Sequence, residues 1–171
     1  SPIRDDNGAT THYLKVAEDV TARRQMEKAL RDSEQRYRTL FDHAGDAIFV
    51  HDLAGQFLDV NRVACERLGY TREEMLEMTP MDIDASEDAA QVPGRIEAIQ
   101  RAEHIVFEAT HVRRDGTRIP VEINSRYIEY EGRPAILSLA RDITGRREAE
   151  EAIGRYADEL ERSNEELEHF A

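Results

Sequence analysis

Ala135-Ile136-Leu137-Ser138-Leu139-Ala140-Arg141-Asp142-Ile143-Thr144-Gly145-Arg146-Arg147 changes character halfway along. Its apolar half, Ala135 to Ala140, reads as a strand, and the charged segment that follows reads as a long helix. The stretch is therefore a joint between a sheet and a lever. Asp142 and Thr144 are short oxygen-bearing side chains beside the helix start, suited to taking up N–H groups of the first turn. No Glu stands at the third helical position, so a full capping box is absent. The same cassette occurs at Ala17-Glu18-Asp19-Val20-Thr21-Ala22-Arg23-Arg24. Ala17–Leu30 and Ala140–Ile153 share an Ala, the Asp, the Thr, both Arg, a Glu and a second Ala. A repeat that starts in a strand and continues into a helix implies two units in tandem. On that reading residues 1–20 are the remnant of a preceding unit, with Tyr13 to Ala17 as its last strand.

Before the joint, three strands form a meander. His104 to Arg113 and Thr117 to Glu129 flank Arg114-Asp115-Gly116, a strong hairpin signal. Ile119, Val121, Ile123, Ser125 and Tyr127 fall on one face of the second strand. Glu131-Gly132 then turns the chain into Pro134 to Arg141. Further upstream, Ala47 to His51 and Gln56 to Val60 are two strands around Asp52-Leu53-Ala54-Gly55. Between the two groups lie short helices. Asn61 caps Arg62 to Leu68 and Gly69 ends it. Thr71 with Glu74 makes a capping box for Arg72 to Glu77. Pro80 stops that helix, Asp82-Ile83-Asp84 reads as a single turn, and Ser86 caps a stretch to Arg101 that Pro93-Gly94 interrupts or kinks. The expected fold class is α+β: a five-stranded antiparallel sheet with short helices on one face, flanked by N- and C-terminal long helices. The domains read as 21–42, a linker helix; 43–144, the sheet domain; and 145–171, a C-terminal helix.

Both flanking helices carry narrow apolar stripes. In the first, Met26, Leu30, Ser33, Tyr37 and Leu40 are spaced alternately four and three apart. In the second, Ala149, Ile153, Tyr156, Leu160, Ser163, Leu167 and Phe170 keep the same alternation strictly. A 3.5-residue repeat implies a left-handed parallel coiled coil, hence a homodimer. The competing arrangement, an amphipathic helix packed on its own sheet, normally shows a wider stripe.

Totals narrow the function. A net charge of −13, from 23 basic and 36 acidic residues, argues against nucleic acid or an anionic membrane as partner. The pairs Arg23-Arg24, Arg113-Arg114 and Arg146-Arg147 sit at turns or helix starts and read as solvated. A single cysteine, Cys65, excludes an internal disulfide and cysteine-rich zinc sites. It reads as a small, half-buried packing residue. No apolar run is long enough to span a bilayer. These features fit a cytoplasmic piece without direct membrane contact, whose parent protein is free to be attached through other segments.

Residues Phe41 to Thr144 resemble a PAS domain. The resemblance rests on Asp46-Ala47-Ile48, Val60-Asn61 and Leu68-Gly69-Tyr70-Thr71. It continues through Arg114-Asp115-Gly116-Thr117, Pro120-Val121-Glu122 and Arg141-Asp142-Ile143-Thr144. It implies a module that senses small molecules, light or redox state, or that serves dimerisation and relay. The tail, Leu160 to Ala171, resembles the helix leading into the phosphoacceptor helices of sensor histidine kinases. In that family the phosphorylated His follows a Phe like Phe170, whereas His169 precedes it and lies outside the seam. The resemblance implies a relay between neighbouring PAS and kinase domains, with no enzyme activity and no catalytic residue in this chain. A PAS module regulating another output enzyme, such as a nucleotide cyclase, and a passive dimerisation spacer are the alternatives. Haem-binding relatives carry a His on the helix before the third strand, where this chain has Ser86-Glu87-Asp88-Ala89-Ala90, and the flavin-type cysteine motif is absent. Neither cofactor is expected, no metal site is seen, and His104 and His111 read as ordinary strand residues. The expected pocket between sheet and helices is lined by Val63, Leu68, Met75, Ile83, Ile96, Phe107, Val121 and Ile123, with Ser125 nearby. The joint is expected to work through Asp142, Thr144 and Arg146.

Overall fold

A computed structural model describes the backbone of residues 13–169 and the side chains of residues 23–162. It divides into two units, residues 1–42 and residues 43–171. In the first, helix α1 runs unbroken over Tyr13–Asp42. The strand expected at Tyr13 to Ala17 is thus helix. An isolated strand with no neighbour leaves its N–H and C=O groups unpaired, whereas a helix satisfies them within the segment. Along α1 the side chains of Met26, Leu30 and Leu40 are exposed, and the Tyr37 ring stacks on Phe41 at 5.3 Å.

The second unit is a five-stranded antiparallel sheet in the order β2-β1-β5-β4-β3. Strand β1 spans Ala47–His51, β2 Phe57–Val60, β3 His104–Val112, β4 Arg118–Tyr130 and β5 Arg133–Asp142. Alternation carries the sheet: Ile119, Val121, Ile123 and Ser125 of β4 are buried, while Arg118 and Arg126 are exposed. Tyr127, expected on the same face, is 40% exposed; it lies just past Arg126, where pairing with β3 ends. The turn into β5 places both Glu131 and Gly132 at positive φ, 51° and 73°, as a two-residue hairpin turn requires.

Helices α2 (Arg62–Leu68), α3 (Arg72–Leu76), α4 (Pro80–Ile83), α5 (Ser86–Ala89) and α6 (Val92–Ala102) connect β2 to β3. Asn61 caps α2 by accepting from the Ala64 amide at 2.9 Å, and Gly69 closes it in the left-handed region at φ 82°. The Thr71–Glu74 capping box opens α3. Two expectations about the next stretch change. Ser86 lies inside α5 and its hydroxyl meets Glu87, so it caps nothing. The helical break falls at Ala90-Gln91, and Pro93 lies in the first turn of α6, where its missing N–H breaks no helical bond.

The main core joins Ala47 and Phe49 of β1, Val60 of β2, Ala64 and Leu68 of α2, Met75 of α3, Val121 and Ile123 of β4 and Ala140 of β5. A smaller cluster of Val92, Ile96 and Ile99 rests on Ile136 of β5. Between the two, side chains leave a gap. After β5, helix α7 runs over Thr144–His169. Its seam residues Ile153, Tyr156 and Leu160 are 69%, 65% and 66% exposed, so this stretch of the stripe does not pack on the sheet. The side chains of Ser163, Leu167, His169 and Phe170 lie outside the described residues.

Candidate functional site

The gap is a cavity of about 50 Å³ between the sheet and helices α4 and α6. Its floor follows from strand register. Phe49, Ser138 and Ser125 align across β1, β5 and β4, and the adjoining row is Ala140, Ile123 and Phe107. Ser125 and Ser138 share one hydrogen bond, Oγ to Oγ, at 2.8 Å. Pro80, Ile83, Val92, Ile96 and Ile99 close the helical side.

One corner of this apolar chamber is polar. Asp84, at the end of α4, forms a bridge with His111 of β3, and the Ala85 amide donates to the Thr110 carbonyl at 2.7 Å. Asp88 locks the corner: it accepts from the Thr110 amide at 2.8 Å and from Arg95 Nη2 at 3.0 Å. The Arg95 guanidinium lies over the Phe107 ring, 4.2 Å from its centroid. Its Nη1 stands 3.7 Å from Asp84 Oδ2 and makes no hydrogen bond. His111 Nε2 is 3.5 Å from Asp84 Oδ1, and His111 Nδ1 has no partner either. Burial pushes the Asp84 carboxyl up to about 7, against the pull of Arg95 and with a push from Asp88. Burial, aided by Arg67, takes the His111 imidazole down to about 4, although Asp88 raises it. His51, also lining the cavity, is held below its ordinary value by burial, partly offset by its bond to the Asp52 carbonyl.

Of the pocket residues expected from sequence, Ile83, Ile96, Phe107, Ile123 and Ser125 line this cavity. Val63, Leu68, Met75 and Val121 do not; they pack in or against the filled core. The reason is position: α2 and α3 sit against β1 and β2, and only α4 and α6 border the gap. Sequence reasoning missed Phe49, His51, Phe57, Asp84, Arg95, His111 and Ser138. Two signals were available. His111 shares strand parity with Phe107 and Ala109, and Arg95 falls between Val92 and Ile99 on the buried helical face. Among the described residues no group of three His, Cys, Asp or Glu side chains is placed to hold a metal ion. Cys65 is half-buried and forms no disulfide.

The cavity's floor leads to the joint. Ile143 is buried, and its amide donates to the Pro120 carbonyl at 3.0 Å. Asp142 accepts from the Thr144 amide at 2.9 Å; burial raises its carboxyl, but the hydroxyl and amide of Thr144, with the charges of Arg67 and Arg113, together hold it low. Among the described residues no arginine pairs directly with Asp142. Instead Arg146 reaches Glu108 of β3 and Glu122 of β4, and Arg147 reaches Glu108 at 2.6 Å. Arg147 first, with Arg146, keeps the Glu108 carboxyl below its ordinary range. The first turn of α7 is thereby pinned to the strands that carry Phe107, His111 and Ile123.

A five-stranded antiparallel sheet with helices over a small chamber, leaving through Asp-Ile-Thr into a long helix, defines a PAS domain. Residues 45–145 match the PAS domain family, and the chain belongs to it. The chain is 41% identical over 129 residues to the methyl sulfide methyltransferase-associated sensor of Methanosarcina acetivorans, covering 75% of this chain and 13% of that one. It is 27% identical over 144 residues to sporulation kinase E of Bacillus subtilis, covering 82% of this chain and 19% of the kinase. The PAS domain of an HTR-like protein from Haloarcula marismortui superposes with a TM-score of 0.66 at 32% identity, over 70% of this chain and 99% of that one. The chain therefore spans less than a fifth of these two longer relatives. Among the described residues no helix is long and apolar enough to cross a membrane.

Proposed function

We propose that this chain is the sensory relay segment of a two-component sensor histidine kinase. It works in the cytoplasm as a homodimer and passes conformational change through its flanking helices to a kinase core. The observation that carries this reading is continuity between cavity and lever. Strand β5 supplies Ser138 and Ala140 to the cavity and ends at Asp142, two residues before α7 begins. A change in the chamber that shifts β3 or β5 displaces Glu108 or Asp142, and with them the root of α7. The likeness to sporulation kinase E supports a kinase as output.

The test is made in the full-length protein. Asp142→Ala and Glu108→Ala leave the apolar strands untouched, so both variants are expected to keep a folded PAS core while locking or uncoupling autophosphorylation. As a mere cap, Asp142 costs about 0.5–2 kcal/mol when lost. Variants that melt earlier yet answer the stimulus normally would sink the relay.

The same reading needs no prosthetic group. A cavity of about 50 Å³ has no room for a haem or a flavin without opening the core. The purified chain is expected to be colourless, and an absorbance band at visible wavelengths from a bound haem or flavin would contradict this.

A further inference from the structure

The cavity keeps two buried polar atoms without hydrogen-bond partners, Arg95 Nη1 and His111 Nδ1, on residues that both line it. Buried donors left unpaired are costly, and native structures retain few of them. The His111 side chain is 3% exposed, and the Arg95 side chain 14%. Neither atom is drawn away by its surroundings. Asp88 is already engaged by Arg95 Nη2 and the Thr110 amide, and Ser125 is engaged by Ser138. Stacking over Phe107 holds the guanidinium where it is. Everything else around the chamber is apolar apart from His51 and Asp84.

We infer that the cavity binds a small monocarboxylate, with Arg95 Nη1 and His111 Nδ1 donating to its oxygens and its short alkyl tail against Ile96, Ile99 and Ile123. This rests on the reading of the cavity as the sensory site. Arg95 presents only donors, so whatever sits beside it must bring an acceptor. The size follows from the volume: about 50 Å³ holds roughly three to five water-sized groups, enough for a two- or three-carbon acid.

The anion also needs charge compensation. Facing Asp84 are Arg95 from α6, Asp88 from α5 and His111 from β3, with Arg67 of α2 acting on the imidazole. Asp88 already offsets the Arg95 charge. A bound carboxylate is therefore matched by a proton on Asp84. Its O–H donates to His111 Nε2, which leaves the ring proton on Nδ1, directed at the ligand. Where Asp84 is ionised before binding, binding takes up one proton. Because the free Asp84 carboxyl titrates at about 7, it is protonated below that pH and affinity is at its plateau. Above it, affinity falls towards tenfold per pH unit.

Sodium propionate and its neutral isostere propionamide, titrated calorimetrically into the 171-residue chain, test this. Propionate is expected to bind about tenfold more weakly at about pH 8 than at about pH 6. Propionamide is expected to bind at least about tenfold more weakly than propionate at the lower pH. Arg95→Met should weaken propionate by at least about tenfold. Asp84→Asn supplies an N–H to His111 without needing a proton, so it should keep binding and flatten the pH dependence to less than about twofold. The inference is overturned if propionamide matches propionate, if affinity ignores pH in the parent chain, or if propionate fails to bind at about 20 mM. Ser125→Leu, which fills the chamber, separates the two readings in the full-length protein. Altered kinase output with no propionate binding removes the ligand class and leaves the sensory cavity standing.

Discussion

Asn61→Ala is expected to lower the melting temperature of the sheet domain by roughly 10–20 °C, a larger loss than an ordinary helix cap gives. Asn61 is fully buried. Its Oδ1 accepts from the Ala64 amide at 2.9 Å and from the Ile48 amide at 3.0 Å. Its Nδ2 donates to the Asp46 carbonyl at 3.1 Å. One side chain thus starts α2 and ties it to the entrance of β1. Losing a cap costs about 0.5–2 kcal/mol. Leaving a buried backbone group unpaired costs about 1–3 kcal/mol more. The sum, about 1.5–5 kcal/mol, is a large share of a small domain's stability. Calorimetric melting of the variant checks it, and a shift below about 3 °C would mean that water or a neighbour replaces those bonds.

Asn61 also shows what the sequence could and could not disclose. Its place before an apolar run, with Gly69 one short helix later, announces a cap. Nothing local announces the bonds to Ile48 and Asp46, because those depend on a strand that arrives from another part of the chain. The sheet was legible for the same local reasons. Arg114-Asp115-Gly116 and Glu131-Gly132 mark their turns, and the alternation from Ile119 to Ser125 marks a face. Tyr13 to Ala17 misled because strand character there presumes a neighbouring strand that the described chain does not supply. The cavity was half legible. Ile83, Ile96, Phe107 and Ile123 announce burial by being apolar. Asp84 and Arg95 do not, since a charged residue in a sequence is ordinarily a solvated one. Their burial is fixed by the bridge to His111 and the Asp88 lock, which are tertiary events.

The other large effect is expected on assembly. If the proposed homodimer is held by α7, the parent chain should sediment as two copies at micromolar concentration and the variant Ile153→Asp with Leu160→Asp as a single copy. Ile153, Tyr156 and Leu160 are each at least 65% exposed in the single chain, one above another along α7. Such a stripe is stabilised by a second copy, where each large side chain gains about 1.5–3 kcal/mol on full burial. The seam works against charge, because two chains of net charge −13 repel. The residues flanking it, Glu150, Ala152, Ala157 and Glu159, provide no complementary pairs across a parallel coil. Apolar contact must therefore carry the association, and added salt should tighten the dimer by screening the repulsion. The double variant removes two large seam residues from each copy and sets new negative charges opposite one another. A weakening of more than about a hundredfold is expected, since each 1.4 kcal/mol is a factor of ten. Ser163→Asp should weaken the dimer less, because it adds charge without removing a large seam side chain. In the full-length protein the double variant should lose stimulus-dependent autophosphorylation even though the cavity is intact. A double variant that still sediments as two copies would place the dimer contact elsewhere and leave α7 without its assigned part in the relay.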